Sequence, residues 1–161
     1  MSVSDEFKGE SALRQDRRKT DEAHLNKWFD SHEKLASFMK AINGLSSSNP
    51  IFKFEVLGGF EPAIDKTDAP YVTPTLFKKI TFVSRDNVSN AMIQINMDGQ
   101  FTFDAEETKV EGNTRAELLH ALDSWVAGLH SAEPDLNIAG HLKRAQMGTN
   151  NKDARNAPKA A

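Results

Sequence analysis

The segment Met92-Ile93-Gln94-Ile95-Asn96-Met97-Asp98-Gly99-Gln100-Phe101-Thr102-Phe103-Asp104 places two alternating runs on either side of an Asp-Gly turn, the pattern of a β-hairpin. Burial then sets its register. A two-residue Asp98-Gly99 loop would put Ile95 opposite Thr102 and mix apolar with polar side chains on each face. A three-residue loop, Met97-Asp98-Gly99 with the glycine left-handed, instead pairs Ile95 with Phe101 and Ile93 with Phe103. That loop is predicted. It leaves Gln94, Asn96, Gln100, Thr102 and Asp104 on the opposite face, where amides and hydroxyls can meet water or a ligand.

The flanking segments supply the layers such a hairpin needs. Thr20 caps a helix whose Leu25, Trp28, Phe29, His32, Leu35, Ala36, Met39 and Ile42 form one apolar stripe, with Gly44 as a left-handed stop and Leu45 folding back. His32 reads as a packed or boundary histidine rather than a ligand. Ile51 to Val56 alternates as a first strand, and Gly58-Gly59 marks a bulge, a bend or a close backbone approach. Residues 61–74 form a long adjustable loop. Leu76 to Arg85 is the second strand, with Leu76, Ile80 and Phe82 inward and Lys78 expected to snorkel at the sheet margin. After an acidic linker with Glu106, Glu107 and Glu111, the capping box Thr114 to Glu117 opens a helix carrying Leu118, Leu119, Leu122, Trp125, Val126 and Leu129.

Charge is uneven along the 161 residues. The net charge is −3, yet residues 1–19 and 134–161 together sum to about +4 and the body between to about −7. Residues 1–19, with the basic run Arg14 to Lys19, read as a flexible arm able to touch phosphate. The C-terminal stretch 133–161 reads as a short helix over Leu136 to Met147 followed by a disordered basic tail. There is no cysteine, and the amino terminus has no apolar run of signal-peptide or membrane-span length. A soluble, cytoplasmic protein is expected.

Catalytic signatures are missing. His24, His32, His120, His130 and His141 are dispersed without metal-ligand spacing, and no serine lies in a nucleophile-elbow setting. The acidic pairs Glu106-Glu107 and Asp65/Asp68 lie in loops, and His120 with Asp123 reads as a surface pair on a helix. No enzyme, cofactor or metal is therefore expected.

The expected fold is α+β: one domain over residues 20–132, in which two long amphipathic helices pack mainly on one face of a four-stranded antiparallel sheet. The other face displays Lys53, Phe77, Lys79, Thr81, Arg85, Gln94, Asn96 and Thr102. Cations that follow a phosphate backbone, an aromatic stacking plane and amides for base edges suit single-stranded DNA or RNA. Glu55 and Asp104 share the face, and a merely solvated sheet has a similar composition. The element order resembles single-strand-binding folds in which a four-stranded sheet is followed by a packing helix, although no residue motif of those families occurs. The leading expectation is a nucleic-acid binder aided by its basic tails. The competing one is an assembly factor or inhibitor that engages a partner protein through its tails or edge strands. Ile51 to Val56 and Phe101 to Asp104 are the expected edges, where copies of the chain would pair as a homo-oligomer.

Overall fold

A computed structural model describes the backbone of residues 3–45, 51–62, 70–106 and 108–156, and the side chains of 12–45, 51–62, 70–106 and 108–147. The fold is α+β. In chain order, helices α1 (Val3–Asp30) and α2 (Glu33–Gly44) precede strands β1 (Phe52–Glu61), β2 (Thr75–Ser84), β3 (Val88–Ile95), β4 (Phe101–Ala105) and β5 (Thr108–Gly112). Helices α3 (Arg115–Ala132) and α4 (Ile138–Asn156) follow. The strands form one antiparallel meander in sequence order, with β1 and β5 at its edges.

The central hairpin has the expected register. Ile95 faces Phe101 and Ile93 faces Phe103, all four buried, and Gly99 has φ +78°. The loop closes through Asn96, whose backbone N–H donates to the Gln100 carbonyl while its carbonyl accepts from Gly99, each at 3.0 Å. Its side-chain oxygen also accepts from the N–H groups of Asp98 and Gln100, each at 3.0 Å. Ala91, Ile80, Phe82, Phe54 and Phe52 extend the same inward parity across β1 to β3. Beneath them lie Leu25 and Phe29 of α1, Leu35 to Ile42 of α2, Leu118 to Leu129 of α3, and Ile138 and Leu142 of α4. One buried polar contact crosses this interface: the Trp125 indole N–H donates to Ser89 Oγ at 3.0 Å.

Several elements depart from the sequence reading. The sheet has a fifth strand where an acidic linker was expected, so Phe101 to Asp104 is an interior strand and β5 is the edge. In β5 only Val110 carries an apolar inward side chain, and Gly112 fills the inward place opposite Phe101, so no alternation announces the strand. The first helix is two. His32 ends the run as an N-cap, its Nδ1 accepting the Leu35 N–H at 3.2 Å, and α2 then buries Leu35, Met39 and Ile42 of the stripe together with Phe38.

Gly44 stays right-handed inside α2; Leu45 caps it and is buried. Gly58 and Gly59 continue β1 in one-to-one pairing with Lys78 and Phe77, without a bulge. The missing side chain at Gly58 leaves space beside Lys78, whose ammonium lies 4.6 Å from the centre of the Phe29 ring.

The termini differ most. Residues 3–19 belong to α1 rather than to a flexible arm, and α4 runs to Asn156 with Ile138 and Leu142 in the core, rather than stopping near Met147. Asp65, Asp68 and Glu107 lie outside the described residues, as do the side chains of Lys8, Lys152 and Arg155. No helix among the described residues is long and apolar enough to cross a membrane.

Candidate functional site

Strand pairing turns the uncovered face of the sheet into an ordered grid. One cross-strand row reads Lys53, Val83, Val88, and the next Glu55, Thr81, Asn90. The third reads Leu57, Lys79, Met92, Asp104, Lys109, and the fourth Gly59, Phe77, Gln94, Thr102, Glu111. These positions alternate with the buried ones, so the helices pack against the opposite side. The side of the sheet opposite the helical core is therefore solvent-facing.

Six of the eight expected site residues share this grid: Lys53, Phe77, Lys79, Thr81, Gln94 and Thr102. Arg85 does not join them; it follows the end of β2 in the exposed turn toward β3. Asn96 lies at the hairpin base with its amide engaged in the turn, its Nδ2 donating to Gln100 Oε1 at 3.1 Å. Two more have partners of their own. Lys53 pairs with Glu55 at 2.8 Å, and the Thr81 hydroxyl donates to Asn90 Oδ1 at 2.8 Å.

The electrostatics of the face are mixed. Lys53, Lys79 and Lys109 are interleaved with Glu55, Asp104 and Glu111, and Asp104 lies directly across from Lys109. A cleft of about 710 Å³ opens at the hairpin end of the grid, where Gln94, Gln100, Thr102, Glu111 and Glu117 converge. Its lining has carboxylates and neutral amides and no cation among the described residues, which disfavours phosphate. The cleft's back wall needs Gly112: a Cβ there would lie 2.7 Å from the Phe101 ring and 2.8 Å from Glu117 Oε2. Glu117 is itself held by the Thr114 hydroxyl, which donates to its Oε1 at 2.7 Å.

Sequence reasoning missed the apolar component of this surface. Leu57 is 65% exposed, Val88 61% and Met92 38%, all on the open grid. Met92 was legible as an apolar residue at an outward position of an alternating strand. Lys109 and Glu111 were not, because β5 itself lacked a pattern.

The basic run expected to reach for phosphate is largely committed within the chain. Arg17 lies 4.1 Å over the Tyr71 ring, and the Tyr71 hydroxyl donates to Asp21 Oδ2 at 2.5 Å. Arg18 binds Glu22 at 2.9 Å and donates to the Pro62 carbonyl. Burial, the Asp21 hydrogen bond and the Asp21 charge push the Tyr71 phenol up to about 12, with Arg17 and Arg18 pulling the other way. On α3, burial raises the Asp123 carboxyl above its usual range against the opposing pull of His120. Among the described residues no three histidine, aspartate or glutamate side chains are grouped to hold a metal ion. No protein-family model, curated protein or solved structure matches the chain.

Proposed function

We propose that this chain is a non-enzymatic, cytoplasmic binding protein that docks a polypeptide partner on its open sheet face. The observation that carries the reading is the set Leu57, Val88 and Met92, exposed apolar side chains spaced among Lys79, Asp104 and Lys109 on a face that none of the described helices covers. Protein interfaces combine apolar anchors with a polar, solvent-accessible rim. Phosphate-backbone binding calls for an excess of cations, which this face lacks.

Binding of single-stranded DNA or RNA is the second reading. It is favoured by Phe77 and Lys79, an aromatic and a cation two residues apart on the same face. Helix α4, which carries Lys143 and Arg144, packs on α2 and α3, so these two bases start from the helical side of the molecule.

Site-specific photocrosslinking separates the readings. A photoreactive residue replacing Met92 in the native host should give a discrete, nuclease-resistant polypeptide adduct, and one replacing the exposed His120 on α3 should not. A nuclease-sensitive adduct at position 92, with salt-sensitive binding of a mixed-sequence oligonucleotide, would transfer the assignment to nucleic acid. Equal adducts at both positions would remove the face as the site.

A further inference from the structure

Strand β1 is the longer of the two sheet edges, ten residues against the five of β5, and pairs one-to-one with β2 without bulge or proline. Sheet edges left this regular are templates for another strand, and proteins that avoid pairing usually interrupt them. Its outward-facing side chains have an internal symmetry. Around Phe54, Lys53 and Glu55 lie at equal distances on either side, as do Ile51, the exposed residue (56%) just before the strand, and Leu57, 65% exposed.

We propose that β1 pairs antiparallel with β1 of a second copy of this chain, about a two-fold axis at Phe54. In this register Lys53 faces Glu55 of the second copy, and Glu55 faces its Lys53. Ile51 meets Leu57 at both ends, and on the inner face Phe52 meets Val56. The overlap within β1, Phe52 to Val56, spans about 17 Å and forms about four to six backbone hydrogen bonds. Open face continues into open face, making one ten-stranded surface.

Neighbouring registers that keep the faces aligned are worse. An axis at Lys53 or at Glu55 sets like charges opposite each other, and an axis at Val56 sets Glu55 against Leu57. Edge β5 also carries a Lys109 and Glu111 pair, but it is half as long and has no exposed apolar residue to bracket the charges.

Sedimentation of the full chain over a concentration series tests this. The natural chain should reach twice the monomer mass. Lys53→Glu and Glu55→Lys, each placing like charges across the axis, should each raise the dissociation constant at least about tenfold. Both side chains are about half exposed, and circular dichroism should show each variant folded.

Combining the two substitutions in one chain, or mixing the two single variants, should restore association. Lys109→Glu should leave it unchanged. Because the chain has no cysteine, Ile51→Cys with Leu57→Cys adds a geometric readout. The two sites are about 20 Å apart along one extended chain, beyond disulfide reach, so oxidation should give covalent dimers. A monomeric natural chain at every concentration, single variants that associate normally, a double variant that stays weak, or dependence on Lys109 would each overturn the proposal.

Discussion

Replacing Asp21 by asparagine should move the ionisation of the single tyrosine, and the chain's composition makes that shift directly visible. Tyr71 is the only tyrosine among the 161 residues, so near-ultraviolet tyrosinate absorbance reports one group. In the folded protein its phenol is raised from 10.0 to about 12. Burial is the largest cause, followed by the hydrogen bond to Asp21 and the nearby carboxylate charge, while Arg17 and Arg18 oppose the rise. A rise of that size is about a hundredfold in the ionisation constant. Because the folded state holds the proton more tightly than the unfolded chain, the stability linked to Tyr71 is complete below pH 10 and is lost as pH climbs toward 12.

The Asp21→Asn variant keeps the burial and loses the charge. Its midpoint should fall part of the way back and stay above the value in denaturant. Circular dichroism at each pH separates ionisation from base unfolding. A natural-sequence midpoint equal to the denatured one, or no response to Asp21→Asn, would refute the contact between α1 and the segment before β2.

Other predictions concern the core and the cleft. Ser89→Ala leaves the Trp125 indole N–H without its buried partner and should cost about 1–3 kcal/mol, read as a fall in thermal midpoint of about 2–4 °C per kcal/mol. Gly112→Ala forces a methyl group into the Phe101 ring and Glu117 and should destabilise by about 1–3 kcal/mol in urea unfolding, together with a shifted Phe101 resonance. Gly99→Ala should cost about 1–2 kcal/mol, because the left-handed turn at φ +78° is strained for any side chain. Its new methyl would also press on Trp28 Nε1 at 3.3 Å, so tryptophan emission should change in the same variant.

What the sequence revealed follows from how many independent signals each element carries. The hairpin at Met97-Asp98-Gly99 was legible to the residue, because alternation on both strands and the glycine's conformational need agree on one register. The same parity put Lys79, Gln94 and Thr102 on the open face. Strand β5 was hidden, since a five-residue edge with one inward apolar side chain has no period to detect. The split at His32 was hidden for the opposite reason: spacings of three and four run straight through it, and only the ring's bond to the Leu35 N–H reveals a cap.

The structured amino-terminal helix was unreadable from pattern alone. Its anchors, Arg17 on Tyr71 and Arg18 at Pro62, join residues more than forty positions apart. Of the candidate site, the polar members on β1 to β4 were foreseen; the face looked more cationic than it is because Arg85 was counted on it, while the Lys109 and Glu111 that β5 adds cancel each other.

Three methionines allow the most direct test of the open face as the interaction surface. Met92 lies on it, 38% exposed; Met147 lies on α4, 51% exposed; Met39 is buried in α2. Hydroxyl-radical footprinting of the purified chain should oxidise Met92 and Met147 and spare Met39. In assemblies isolated from the native host, Met92 should become protected while Met147 stays reactive. Protection of Met147 with Met92 still oxidised would place the partner on the helical side and contradict the account.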